Sequence, residues 1–173
     1  MTKIVIDPTL GPVLARTGDE RAVLNSFLDF HRDIVARKLR GLSDAAARRR
    51  LVPSATTLAG LVKHLTLVER NWFPRLLAPR PDDVYETTEE AAAASFALDD
   101  ADTVQSLLAD YEQACALSRD LAARFDLDHV VPHEQLGEVS LRWILTHLIE
   151  ETARHAGHAD ILRELTDGST GVR

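Results

Sequence analysis

Three of the chain's seven histidines, His147, His155 and His158, lie in one short segment that also holds Glu150 and Glu151. If that segment is helical, each residue turns about 100°, and His147, Glu151, His155 and His158 fall within about 80° of arc. Ile144, Leu148 and Leu162 share that face, so the stripe points toward a core. An ionised carboxylate left alone there is costly. A metal ion would satisfy Glu151 and the imidazoles together. A glutamate and a histidine at i and i+4 stand one turn apart, near enough to bind one ion; His147 and His158 compete for a place in the set. The third ligand should come from another helix. His64 is the best candidate, because Gly60, Leu61, Val68 and Asn71 on its flank turn it inward.

Two imidazoles and one carboxylate leave a position open for water or substrate, as catalytic sites do. Nitrogen-rich ligation favours Zn, Ni or Fe(II) over Mg or Ca. No His-Glu-x-x-His motif occurs, because Leu148 follows His147. A lone histidine on an apolar face is more often a hydrogen-bonded core residue than a ligand. The metal reading rests on the joint pattern.

Four helices must position these residues. Val23, Leu24, Phe27, Phe30, Ile34 and Val35 recur at three- and four-residue steps and predict a helix from about Asp19 to Leu39, stopped by Gly41. Ser43 to Arg50 adds a short turn capped by Ser43. A second helix starts near Ser54–Thr57 and runs to about Leu77, its last turn kinked or ended by Pro74. Residues 78–100 hold Pro79, Pro81 and seven acidic residues against one arginine. They read as a long surface connection with nothing apolar arranged for burial. Such a length lets the chain cross over and start a helix parallel to the one it left. The third helix spans about Asp102 to Phe125, its buried face given by Val104, Leu107, Leu108, Tyr111, Cys115, Leu117 and Leu121. A loop with Pro132 and Gly137 follows. Ser140 caps a fourth helix that runs to about Leu165 and closes at Asp167-Gly168. Residues 1–18 read as an extended arm, with a possible short strand at Lys3-Ile4-Val5-Ile6. The expected fold is all-α, a four-helix bundle in one domain over residues 1–173.

Composition narrows the function. The 173 residues suffice for a core without disulfides or a structural metal. The net charge of −7 argues against a nucleic-acid partner, which basic patches would bind. No apolar run approaches the length of a membrane span, and Met1 to Leu10 lacks the apolar core of a signal peptide. The single cysteine, Cys115, permits no internal disulfide. A cytoplasmic protein is the expectation.

Further residues match a known pattern. Lys63-His64-Leu65, Glu69-Arg70, Trp72-Phe73, Arg142-Trp143 and the run from Glu150 to Glu164 resemble the DinB-like superfamily of bundle metalloproteins. The likeness is greatest to an actinobacterial branch related to the mycothiol-dependent maleylpyruvate isomerase and the bacillithiol transferases. The resemblance implies one histidine ligand from the second helix and two ligands one turn apart on the last. Carried across, these are His64, Glu151 and His155, the set that helix geometry suggests. It also implies an up-down-down-up bundle, a divalent ion that is Zn or Ni, mycothiol as a thiol cosubstrate and a homodimer. The isomerase has a further C-terminal domain, and this chain stops soon after the bundle, so the same isomerisation is not expected.

Three functions fit. In a thiol transferase, the metal would bind a small thiol, lower its pKa and give a thiolate to attack an electrophilic substrate. In a hydrolase, the open position would hold an activated water. The third is a non-catalytic metal- or ligand-binding module. Of the remaining residues, His147 is a candidate to line the substrate site and His158 to hydrogen-bond the ligand shell. Gly60 and Gly157 are expected to permit close helix approach, and Trp72 and Trp143 to anchor the core. Arg154 and Arg163 are expected to pair with Glu150 and Glu164. Cys115 reads as an inert core thiol, and His129 and His133 as structural or exposed.

Overall fold

The computed structural model of the protein describes residues 10–79 and 94–171. Its helices begin where the sequence supplies a cap. Asp19 accepts the Ala22 N–H at 2.8 Å and opens α2 (Glu20–Leu39). It follows a helical turn, α1 (Gly11–Leu14), which replaces the extended arm expected over residues 10–18 and carries Pro12 in its first turn. Lys3 to Ile6 lie outside the described residues. Ser43 caps α3 (Asp44–Ala47), and Thr57 caps α4 (Leu58–Arg70). A reciprocal box between Thr103 and Ser106 opens α5 (Val104–Ala122). Ser140 opens α6 (Leu141–Asp167), which ends on Gly168 at φ 78°, a left-handed conformation that glycine adopts without penalty.

Pro74 neither ends nor breaks its helix. In an α-helix its ring would meet the carbonyl of Arg70. Instead α4 widens into a π-helix over Asn71–Leu77, closing with the Ala78 N–H on the Phe73 carbonyl at 3.3 Å.

The fold is mostly helical, consistent with the all-α expectation, with one small two-stranded sheet. Part of the expected loop after α5 is an antiparallel hairpin of β1 (Val130–His133) and β2 (Gly137–Ser140), with Val131 opposite Val139. Both valines are buried. Pro132 is tolerated because a two-stranded ribbon has free edges.

The helices meet through named pairs. Arg142 at the start of α6 binds Glu20 at the start of α2, and Lys38 binds Asp160 at 2.7 Å near their ends. Arg21, at the start of α2, donates to the Ala122 and Phe125 carbonyls at the end of α5. Lys63 binds Asp102 at 2.8 Å and Arg70 binds Asp110, joining α4 to α5. Arg163 pairs with Asp167 rather than the expected Glu164, and covers the Lys38 and Arg40 carbonyls at the end of α2. Arg154 does pair with Glu150.

The core forms two apolar layers. One gathers Ile34, Val35, Leu39, Leu61, Leu65, Leu107, Tyr111 and Leu162. The other gathers Leu28, Phe73, Leu77, Leu121, Ile144, Leu145 and Leu148. Along each long helix a buried polar residue stands between the two: Arg32, Glu69, Ser118 and Thr152. Arg32 grips Glu69 with two hydrogen bonds of 2.7 and 2.6 Å, and both side chains are almost fully enclosed. Burial disfavours the Arg32 charge, but the charge and hydrogen bonds of Glu69 outweigh it and hold the guanidinium protonated. Some apolar residues expected inside are exposed, among them Phe27, Leu117 and Trp143. Among the described residues no helix is long and apolar enough to cross a membrane.

Removing one member of a buried pair leaves the other charge uncompensated. Arg32→Ala or Glu69→Ala should lower unfolding free energy by about 3–5 kcal/mol. The double variant Arg32→Met with Glu69→Leu should be more stable than either single variant. Urea denaturation followed by circular dichroism measures all three.

Candidate metal centre

The three residues singled out by spacing and resemblance converge. His64 Nε2 lies 3.2 Å from Glu151 Oε1, and His155 Nε2 lies 3.1 Å from the same oxygen. One ligand atom from each falls within 4.8 Å of the others, a group that could hold a metal ion. Zn–N and Zn–O bonds of about 2.0–2.1 Å in a tetrahedron put neighbouring donors about 3.3 Å apart. The two nitrogen-to-oxygen separations match that spacing.

Each element contributes for a local reason. Glu151 and His155 are one turn apart on α6, where Leu148 and Ala156 beside them are buried. His64 comes from the inward face of α4, between Leu61 and Leu65. His155 is buried, while His64 and Glu151 are only partly covered, so the cluster has an open side. Hydrogen bonds from His155 and His64 hold the Glu151 carboxyl far below the usual carboxylate range, against the opposing effect of burial. The carboxylate is thus ionised at neutral pH.

The far nitrogens of both imidazoles are also engaged. His64 Nδ1 lies 2.7 Å from Ser95 Oγ. His155 Nδ1 lies 3.4 Å from His158 Nδ1. Metal-binding histidines are commonly oriented by such partners. His158 is therefore beside the ligand set, as one of its expected roles had it. His147 is not brought to the triad; it stacks on Trp143 and meets Trp72 edge-on. His133 stacks on the same Trp72, and His129 on Phe125.

Two neighbours of the triad were missed by the sequence reading. Ser95 and Phe96 end a connection read as surface, yet the Phe96 ring lies 4.1 Å from the His64 ring and within 10° of parallel. Gly60 makes this possible. A Cβ there would stand 2.7 Å from the Phe96 carbonyl oxygen. Gly157, expected to play a similar role, does not: a Cβ there meets nothing within 4 Å.

Comparison with known proteins bears on what such a cluster does. The mycothiol-S-transferase family model matches residues 23–168. The chain belongs to this family, one of the DinB-like group. The match spans all three residues of the triad. No curated protein matches the chain. A crystal structure titled as a conserved protein of locus from Enterococcus faecalis is similar in fold, with a TM-score of 0.58 and 18% identity. The likeness covers 87% of this chain and 98% of that one.

In a family named for sulfur chemistry, the protein's own thiol must be weighed. Cys115 is buried on α5, and burial with the nearby Glu69 charge pushes it from 9.0 up to about 12. The thiol therefore holds its proton at neutral pH.

Two outcomes follow. Gly60→Ala should displace Phe96 and weaken Zn affinity roughly tenfold, the usual cost of disturbing a ligand's support. Gly157→Ala should leave affinity unchanged and add about 1 kcal/mol of stability from helix propensity. Competition with a chromophoric chelator and urea melts read the two effects. At pH 8, iodoacetamide should label Cys115 in the folded protein roughly a thousandfold more slowly than in urea-unfolded protein, because the folded-state thiol holds its proton. Mass spectrometry over time gives both rates.

Proposed function

We propose that this protein is a metal-dependent S-transferase. In this reading His64, Glu151 and His155 hold a divalent ion, Zn or Ni, and a small thiol, mycothiol, is transferred to an electrophilic substrate. The observation that carries it is the convergence of two imidazoles on one carboxylate oxygen, at donor spacing, in a chain of the mycothiol-S-transferase family.

The bound ion supplies a positive charge that lowers the pKa of a sulfur ligand into the neutral range. The chain's own residues do the rest. Glu151 is kept anionic and so balances part of the ion's charge. Ser95 and His158 engage the far nitrogens and fix the ring orientations of His64 and His155. Phe96 covers one face of His64 and keeps water from it. The partly exposed edge of the cluster leaves room for the thiol.

Residues 1–173 are taken as one cytoplasmic domain, a four-helix bundle running up-down-down-up. The pairs Arg142–Glu20 and Lys38–Asp160 support like-directed α2 and α6, and Lys63–Asp102 with Arg70–Asp110 support like-directed α4 and α5.

The test is turnover of mycothiol and monochlorobimane, then of other electrophiles, by the Zn- or Ni-loaded protein. The expected result is a rate lost by at least a hundredfold in Glu151→Ala, in His64→Ala and in chelator-treated protein. A rate no higher than that of Glu151→Ala contradicts the proposal. So does turnover of esters, amides or lactones that needs His64 but no thiol, which would make the site a hydrolase. Stoichiometric ligand binding without turnover would leave a binding module.

A further inference from the structure

The helix seam that holds the triad ends in an aromatic cluster. On α6, Trp143, His147, Glu151 and His155 follow one another at four-residue steps, and across the seam His64, Val68 and Trp72 do the same. The two stripes meet at both ends. His64 touches Glu151 and His155 at one end. Trp72 touches His147 and Trp143 at the other, with ring centres 4.8 and 5.5 Å apart. Between the ligand atoms and the indoles stand Val68 and His147, both only half-buried, so solvent reaches the seam along this length. From Glu151 to Trp143 it runs two turns of α6, about 12 Å.

A pocket of about 170 Å³ opens at Trp72. The hairpin brings His133 to it, stacked within 20° of the Trp72 ring. Asn71, Arg75, Glu134 and Gln135 complete the lining used here. Asn71 and Arg75 come from the π-helix, a distortion frequent at functional sites. The lining selects a ring with hydroxyls. The indole offers a flat apolar face. The Asn71 and Gln135 amides each donate and accept, the guanidinium donates and the carboxylate accepts. A plain alkyl or aryl group would leave those ends unpaired. Arg75 and Glu134 balance in charge, which suits a neutral body. The volume is below the about 300–1,000 Å³ of drug-sized sites, so the pocket takes one ring.

We propose that this pocket reads a polyhydroxylated ring carried by the thiol cosubstrate. The ring lays a C–H face on Trp72 and turns its hydroxyls to Asn71 and Gln135. The linker to the sulfur follows the seam past His147 to the triad. The proposal rests on the transferase reading and adds where the identity of the thiol is decided. An ion takes any thiolate, so selection falls to the pocket two turns away. No bond is made or broken there. A site built to hydrogen-bond hydroxyls discriminates strongly against a thiol that lacks them, because its polar groups are then left unpaired.

The chain has two tryptophans and both lie in this cluster, so intrinsic fluorescence reads it alone. The test titrates myo-inositol, a polyol ring without a thiol, into the metal-loaded full-length protein, with cyclohexanol as the ring that lacks the extra hydroxyls. The expected result is a saturable change of tryptophan emission with myo-inositol and none with cyclohexanol. Asn71→Ala should weaken that binding at least tenfold. So should Gln135→Ala, which lies at the exposed hairpin tip and spares the helices. In the transfer reaction both variants should lower the preference for mycothiol over N-acetylcysteine, a thiol without a ring, at least tenfold in kcat/KM, with the change in KM for mycothiol. An equal response to cyclohexanol would make the pocket a plain apolar one and overturn the proposal. No response to myo-inositol, or an unchanged thiol preference in both variants, alongside active transfer would overturn it and leave the transferase reading standing. Binding of myo-inositol with no transfer from any thiol would overturn the assignment of the ring to a thiol, through failure of the transferase reading itself.

Discussion

Glu69 in the packed interior and Glu151 at its edge constrain everything around them. An ionised carboxylate removed from water needs compensation worth several kcal/mol. Glu69 receives it from Arg32 across the α2–α4 contact. Glu151 receives it from His64 and His155, and so ties α4 to α6. Both sets involve α4, which thereby has its axial position fixed against two neighbours. Apolar packing alone tolerates sliding; a two-pronged guanidinium on a carboxylate does not. The polar residues between the apolar layers thus set the register at which the three ligand side chains face one another.

The two compensations differ in kind, and the difference separates structure from function. Arg32 and Glu69 are enclosed and satisfy each other, so that pair offers nothing to a ligand. The triad is only partly covered, and two nitrogens and an oxygen lie within 4.8 Å of one another. Its supports reach outward, through Ser95 and Phe96 on one side and His158 on the other. Cys115 sits near the enclosed pair, where Glu69 and burial keep its thiol protonated. The sulfur of the proposed chemistry therefore has to arrive with a small molecule.

How much of this was legible in the sequence depended on range. Helical periodicity put Glu151 and His155 one turn apart on a stripe shared with Leu148, and short-range caps at Asp19, Ser43 and Ser140 stand where the helices start. His64 was suggested by its flanks and reinforced by family likeness, since no local pattern links residues 87 positions apart. Nothing in the sequence singled out Arg32, because its partner lies 37 residues away. Phe96 was hidden in an acidic, proline-rich connection, though Gly60 in a helix interior was a signal that some backbone passes close by. The hairpin escaped because its strands have only four residues each and one holds Pro132. Trp143 misled for a different reason: aromatic size predicts burial, yet this ring stacks on His147 at the surface.

The central claim is that His64, Glu151 and His155 hold a divalent ion, and metal content tests it most directly. Protein purified without a histidine tag is analysed for bound metals, then dialysed against chelator and reloaded with Zn or Ni. The account predicts about one ion per chain in the wild type, and loss of most of it in His64→Ala with the helical content unchanged. A wild-type protein that is metal-free as purified and takes up neither Zn nor Ni would contradict it.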